Sequence, residues 1–83
     1  MKLAIYALQS VIFEGDVTRV TLPTPNGEIT LLDGHLPLVT IVSRGAVRFR
    51  LPNGEESATF LEGGVFEMRP GSEAVMLADE PTP

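Results

Sequence analysis

Apolar and polar residues alternate along this chain in short runs that are separated by turn signals. The clearest run lies at residues 47–51, where Val47, Phe49 and Leu51 alternate with Arg48 and Arg50. A period of two is typical of a β-strand that buries one face and exposes the other. The pattern predicts strands at residues 2–8, 11–14, 17–22, 29–32, 38–42, 47–51, 55–61, 65–69 and 74–78.

The spacing of the turn signals favours one fold class. Gly15-Asp16, Arg44-Gly45, Asn53-Gly54 and Pro70-Gly71 each separate two predicted strands, and such signals recur roughly every eight to twelve residues. No window keeps the 3.6-residue period of an amphipathic helix. The sequence therefore predicts an all-β fold, a two-layer antiparallel β-sandwich of short strands. With 83 residues, the chain forms one domain, residues 1–83.

Residues 22–42 concentrate the residues that restrict the backbone, including three of the seven prolines and the single histidine. Pro23 and Pro25 fix φ and have no N–H to donate to a neighbouring strand. Proline is therefore confined to edge strands, strand ends and bulges. We expect that this segment is not a central strand.

Two turn dipeptides flank the predicted strand at residues 29–32. Asn26-Gly27 comes before it and Asp33-Gly34 follows it, and Pro37 fixes the entry into the next strand. We expect a stiff pair of loops at one end of a sheet, which carries Glu28, Asp33 and His35 outward.

Three predicted strands are apolar on both faces, namely residues 2–8, 38–42 and 74–78. In a two-layer sandwich each strand normally buries one face and exposes the other. The surplus apolar side chains predict an interface, because small monomers rarely expose an apolar patch larger than a few hundred Å². The surplus residues are Tyr6, Leu8, Leu38, Val65 and Met76. By contrast, we place Phe66 and Met68 in the core.

Composition and charge exclude several classes of function. A net charge of −5 with only six basic residues argues against nucleic-acid binding. The absence of cysteine excludes disulfides and cysteine-based metal or redox sites, and we expect no metal or cofactor. No run approaches the roughly 18 apolar residues that span a bilayer. Residues 1–9 are interpreted as a first strand and not as a signal peptide.

Two motifs could suggest catalysis, and both have a simpler interpretation. Asp33 and His35 could form an acid–base pair, but no nucleophile motif lies nearby. The favoured interpretation is that Asp33 caps the turn while His35 packs or faces solvent. Gly63-Gly64 lacks the remaining residues of a phosphate-binding loop, and we expect a hairpin or bulge there.

Four blocks of the sequence, in order and with matching spacings, resemble a known family. They are VIFEGDVTRVTLPTP from Val11, TPNGEITLLDGHLPLVT from Thr24, GAVRFR from Gly45 and GGVFEMRPGSEAVMLADE from Gly63. The second block resembles TPxGEIGILPGHAPLVT in the N-terminal domain of the epsilon subunit of F-type ATP synthases, which is called delta in mitochondria. Asp33 stands where that family usually has proline, and Thr30 where it often has glycine.

The resemblance implies a flattened β-sandwich in a non-catalytic rotor subunit. Such a subunit links the gamma subunit to the membrane c-ring and couples proton flow to ATP synthesis. It lies peripherally, through the complex alone, on the cytoplasmic face of the inner or plasma membrane or the equivalent face in an organelle. In the family, the loop that carries Glu28 faces the c-ring.

The resemblance also implies contact residues. We expect contacts to gamma and the c-ring loops from Glu28, Asp33, Gly34, His35 and Pro37. Weaker candidates for the face toward gamma are Tyr6, Leu8, Leu38, Val65, Glu67 and Met76. The family normally continues into a C-terminal helical hairpin, and this sequence stops at Pro83. We therefore expect that residues 1–83 cannot inhibit ATP hydrolysis by hairpin insertion.

The alternative is a free-standing β-sandwich that binds a small ligand or a carbohydrate. Sugar-binding faces usually present several exposed aromatic side chains, whereas this chain has no Trp, one Tyr and four Phe. The sequence favours the rotor subunit over this ligand-binding alternative. An enzyme is favoured less than either.

Overall fold

Nine β-strands make up the part of the chain that the structure, a computed structural model, describes, residues 1–79. Each of the predicted strands is present, with ends that differ by up to two residues. The strands are β1 (Lys2–Ala7), β2 (Ser10–Asp16), β3 (Arg19–Thr24), β4 (Gly27–Leu32), β5 (Leu38–Val42), β6 (Gly45–Arg50), β7 (Glu56–Leu61), β8 (Gly64–Arg69) and β9 (Glu73–Ala78).

The strands form two stacked sheets, which confirms the predicted β-sandwich. The five-stranded sheet has the order β2-β1-β9-β8-β5, and the four-stranded sheet has the order β4-β3-β6-β7. Neighbouring strands are antiparallel with one exception, because β1 and β9 pair in parallel.

The inner faces of both sheets supply one continuous core. The rings of Phe13 on β2 and Phe49 on β6 bridge the layers, with centroids 4.3 Å apart. Phe66 and Met68 are buried, as predicted. The buried apolar residues are Leu3, Ile5, Val17, Val20, Leu22, Leu31, Val42, Val47, Phe49, Leu61, Phe66, Met68, Ala74 and Met76.

The prediction that the segment with Pro23 is not a central strand was wrong. Strand β3 contains Pro23 and lies between β4 and β6. The ladder between β3 and β6 ends at Thr21, so no strand on that side requires an N–H from Pro23. The carbonyl oxygen of Pro23 accepts a hydrogen bond from the Ser43 N–H instead, at 2.8 Å. The proline therefore ends the pairing with β6 without excluding the strand from the middle of the sheet.

The sequence predicted that the two turns around β4 form a loop pair at one end of a sheet, and this prediction was wrong. The Asn26-Gly27 turn precedes β4 and the Asp33-Gly34 turn follows it, so the strand itself separates them. Six residues of strand span about 20 Å. The first turn adjoins the β5–β6 connection through the Pro23–Ser43 bond, whereas the second contacts Ser72 between β8 and β9. The two turns occupy opposite ends of the sandwich.

Two further turn predictions differ from the structure. Gly15 and Asp16 belong to β2, because they pair with Leu3 and Lys2 on β1. Gly63 does not lie in a hairpin, since β7 and β8 belong to different sheets. The chain crosses between the layers there, with φ of 110° at Gly63 and 153° at Gly64. A Cβ atom on Gly64 would lie 2.1 Å from the carbonyl oxygen of Leu77, so only glycine fits.

Candidate interaction surface

The outer face of the five-stranded sheet carries an unbroken row of apolar and aromatic side chains, one from each strand. Tyr6 on β1 pairs with Val11 on β2 and with Leu77 on β9. Leu77 pairs with Val65 on β8, and Val65 pairs with Ile41 on β5. We call these five residues the apolar row. Leu77 is 58% exposed and Ile41 63% exposed, so the row faces water in the isolated chain.

The face becomes more polar with distance from the apolar row. The next row across the sheet alternates in character: Glu14, Ala4, Val75, Glu67 and Val39. Beyond it lies a charged row of Asp16, Lys2, Glu73 and Arg69. The face therefore has an apolar half and a charged half.

The outer face of the five-stranded sheet contains a groove. The groove is open, with a volume of about 830 Å³, and its lining includes Tyr6, Glu14, Val65 and Leu77. The side chains of Ala4 and Val75, which pair in register, are shorter than those of Tyr6 and Leu77 beside them. They form the floor of the groove. A groove with an apolar floor and charged margins resembles a protein interface more than a solvated surface.

Strand register corrects two of the residues predicted for this face. Met76 is 0% exposed, because it pairs with Phe66 on the inner face. Leu38 pairs with the buried Met68 and packs against the core. Side chains alternate between the faces of a strand, so the outward residues of β5 and β9 are their neighbours Val39, Ile41, Val75 and Leu77. The sequence indicated a two-sided apolar pattern in these strands but not which residues point outward.

The other residues predicted for this face lie on or beside it. Tyr6 and Val65 belong to the apolar row, and the Tyr6 hydroxyl donates to Glu14 Oε2 at 3.2 Å. Glu67 accepts a hydrogen bond from Arg69 Nε at 3.0 Å. Leu8, 79% exposed, lies in the β1–β2 hairpin at the apolar end and lines a surface pocket together with Phe60 of the other sheet.

The outer face of the four-stranded sheet carries ion pairs, together with the exposed side chains of Leu32 and Phe60. Arg48 on β6 donates to both carboxylate oxygens of Glu28 on β4, at 2.9 and 3.1 Å. On the same face, Glu56 on β7 lies between Arg19 on β3 and Arg50 on β6. The hydrogen bond from Arg19, with Arg50 nearby, holds the pKa of Glu56 below its ordinary value. Arginine and glutamate side chains therefore form ion pairs across this face.

Arg48 and Arg50 lie on the face of β6 opposite the buried Val47 and Phe49. The carboxylates with which they pair, those of Glu28 and Glu56, belong to this chain. Thr30, which departs from the family pattern, exchanges a hydrogen bond of 2.9 Å with the Thr21 hydroxyl on the same face.

Asp33, Gly34, His35 and Pro37 lie at the end of the sandwich opposite Glu28, and all are exposed. The Asp33 carboxylate is 3.6 Å from the amino group of Met1. A hydrogen bond from Ser72 and the charge of this amino group lower the pKa of Asp33. His35 Nδ1 donates to the carbonyl oxygen of Leu36 at 2.6 Å. Asp33 thus ties the loop to Met1 and Ser72, whereas the His35 contact lies within the loop.

Neither metal-binding clusters nor membrane-spanning helices occur in the described part of the chain. Within residues 1–79, no three His, Cys, Asp or Glu side chains converge on one point as metal ligands would. No helix within the same residues has the length and apolar character needed to cross a bilayer.

The fold and its surface define a class of protein: a small all-β domain with an apolar row on one outer face and ion pairs on the other. The particular family follows from comparison with known sequences. Residues 1–81 match the family described as ATP synthase, Delta/Epsilon chain, beta-sandwich domain, and the chain belongs to this family.

Two solved structures have the same fold. A chain of the Euglena gracilis mitochondrial ATP synthase, seen in its OSCP/F1/c-ring assembly, superposes with a TM-score of 0.88 at 21% identity, over 98% of this chain and 51% of that one. A chain of the Tetrahymena thermophila mitochondrial ATP synthase central stalk and c-ring superposes with a TM-score of 0.81 at 10% identity, over 95% and 63%. This chain therefore spans about half to two thirds of the length of these structural relatives.

Proposed function

We propose that the chain is a non-catalytic central-stalk subunit of an F-type ATP synthase, which joins the gamma subunit to the c-ring and turns with them. Ion flow through the c-ring is then coupled to ATP synthesis through this joint. Family membership and the two structural relatives, both parts of ATP synthase assemblies, support this role. On this proposal the chain lies peripherally at the membrane, through the complex.

The observation that carries the proposal is the apolar row on the five-stranded sheet. All five members are at least partly exposed although the chain has a complete core of its own. Exposing an apolar surface of this kind to water costs about 25 cal/mol per Å², and a partner that covers the surface removes this cost. We assign this face to the gamma subunit.

The two ends of the sandwich contact different partners in this proposal. The end with Glu28 and the Asn26-Gly27 turn faces the polar loops of the c-ring, as the family resemblance implies. The loop from Asp33 to Pro37 lies about 20 Å away along β4 and contacts gamma. Gly34 and Pro37 set the shape of this loop, and Asp33 and His35 supply polar groups.

Cysteine cross-linking tests this arrangement cleanly, because the chain has no native cysteine. In the assembled enzyme, Asn26→Cys should cross-link to the c-ring and His35→Cys to gamma. The reverse pattern would refute the orientation while leaving the rotor role intact.

The role itself is tested by reconstitution of the ATP synthase without this chain. We expect proton-driven ATP synthesis to fall to background while the catalytic head still hydrolyses ATP. Equal coupling with and without the chain would refute the proposed function.

We further propose that residues 1–83, taken alone, do not inhibit hydrolysis. Inhibition in this family belongs to the helical hairpin, and residues 1–79 contain strands and turns only. Added to the catalytic head, the chain should leave ATPase activity unchanged. Strong inhibition that ATP relieves would contradict this.

A further inference from the structure

The groove on the five-stranded sheet has unequal margins, and this inequality restricts what can occupy it. Its lining includes the carboxylates of Glu14, Asp16, Glu67 and Glu73. The basic groups in the same lining are Lys2 and Arg69. Arg69 already pairs with Glu67 at 3.0 Å. Three carboxylates therefore remain against one ammonium group.

The unpaired acidic groups are concentrated on one wall. Glu14 and Asp16 lie two residues apart on β2, the outermost strand, so their side chains point the same way. In the described residues, Asp16 has no ion pair, although Lys2 is its partner in the strand register. Glu14 accepts only the neutral hydroxyl of Tyr6, at 3.2 Å. This acidic wall runs beside the floor of Ala4 and Val75.

On the outer face of the four-stranded sheet, carboxylates are paired with arginines of this chain. Arginines on that face lie within ion-pair distance of Glu28 and Glu56. No arginine stands opposite Glu14 or Asp16 on β1, where the register partners are Ala4 and Lys2. The acidic wall is thus complementary to positive charge from outside the chain.

We propose that the groove takes a segment of the gamma subunit that presents an apolar side chain to the Ala4–Val75 floor and a Lys or Arg to the acidic wall of Glu14 and Asp16. This inference rests on the proposed function and adds the chemistry of the contact. The apolar row supplies burial, and the acidic wall sets the direction in which the segment lies, because opposite charges fix register and speed association.

Two substitutions test the floor and the wall separately. Ala4→Leu fills the floor of the groove, and Asp16→Lys reverses one charge of the wall. Their matched controls are Ala58→Leu, on the exposed face of β7, and Glu55→Lys, an exposed carboxylate in the β6–β7 turn. Each control repeats the chemical change away from the groove. Thermal unfolding of all four variants should match that of the native chain.

Binding of the full chain to purified gamma subunit is then measured at low and at high salt. We expect Ala4→Leu and Asp16→Lys to weaken binding by about tenfold or more, and both controls to stay within about twofold. High salt should reduce the difference between native and Asp16→Lys, because it screens the rim charge.

The outcomes distinguish this inference from the proposed function. If the native chain binds gamma and all four variants bind equally, the groove is not the contact, and the inference is wrong while the proposed function stands. If the native chain does not bind gamma, the proposed function itself fails. If Ala4→Leu and Asp16→Lys abolish self-association of the chain but not gamma binding, the occupant is a second copy and the inference is overturned.

Discussion

The outer faces of the two sheets share one core but differ in how they meet water. On the four-stranded sheet, Arg48 bonds to Glu28, and Arg19 and Arg50 flank Glu56. On the five-stranded sheet, the apolar row crosses every strand and one wall of the groove carries unpaired carboxylates. Folding alone requires neither pattern, because the inner faces already supply the core.

The difference is our reason for proposing a partner on one face and not on the other. A face whose charges satisfy one another gains little from binding, since those ion pairs would have to be desolvated. An apolar face with a charged margin gains from burial at its centre and specificity at its edge. The asymmetry between the faces is therefore the physical basis for assigning the five-stranded sheet to gamma.

The largest expected effect comes from a substitution at Gly64, where the chain enters β8 of the five-stranded sheet. Gly64→Ala would place a Cβ atom 2.1 Å from the carbonyl oxygen of Leu77, and the backbone of β8 or β9 must move. We expect a loss of about 3 kcal/mol or more in the free energy of unfolding. Urea denaturation measures it.

The control for this substitution is Gly54→Ala, at another glycine with positive φ. The added Cβ atom there meets no atom within 4 Å, so only backbone strain remains. We expect a smaller loss, of about 1 kcal/mol. Equal losses at the two positions would show that close packing at Gly64 does not determine the backbone conformation of the crossover between β7 and β8.

The next effect separates binding from stability. Leu77→Arg places a charge in the centre of the apolar row, where the native side chain is 58% exposed. Binding to gamma should weaken by about 30-fold or more, the scale of a hot-spot residue. The free energy of unfolding should change by less than about 0.5 kcal/mol, because the site is on the surface.

Ala46→Arg is the matched control, an exposed residue of β6 on the opposite sheet. It should bind gamma as the native chain does. Loss of binding in Ala46→Arg but not in Leu77→Arg would show that our account assigns gamma to the wrong face.

A smaller effect concerns the ion-paired face. A double-mutant cycle of Arg48→Ala and Glu28→Ala should give a coupling energy of about 0.5 kcal/mol, since both side chains are about half exposed. The coupling should shrink in 1 M salt. Gamma binding should not change in Arg48→Ala. A coupling energy of zero would mean that this face is merely solvated.

The smallest effect is a pH dependence of stability. Asp33 and Glu56 have folded-state pKa values below their ordinary values of 3.8 and 4.5. The stabilisation from these carboxylates is therefore present above the ordinary values and is lost as the pH falls through the folded values. Stability should decline below pH 4.5, and Glu56→Gln combined with Asp33→Asn should reduce the decline. An unchanged acid profile in the double variant would contradict this.

Much of this fold could be predicted from the sequence, because strand periodicity and turn dipeptides are local signals. All nine strands and the sandwich followed from them. Residues 38–42 and 74–78 were correctly identified as apolar on both faces. The direction of each side chain was not predictable in such strands, so Leu38 and Met76 were placed on the wrong face. Alternation carries no information when both neighbours are apolar.

The candidate site depends on long-range pairing that a sequence does not display. The apolar row joins residues from positions 6 to 77, and only the strand order brings them side by side. In the same way, the sequence suggested one loop pair because its two turns are close along the chain. The strand between them places them at opposite ends. Family resemblance supplied the proposed partners, and the geometry distinguished the surfaces available to them.

Chemical labelling in the assembled ATP synthase tests the central claim, that the apolar outer face is covered by gamma, most directly. Single cysteines at positions 77 and 46 report on the two faces, because the chain has no other cysteine. We expect Leu77→Cys to react with a thiol reagent in the isolated chain and to be protected in the complex, while Ala46→Cys reacts in both. Protection of Ala46→Cys with free reaction of Leu77→Cys in the complex would contradict the account.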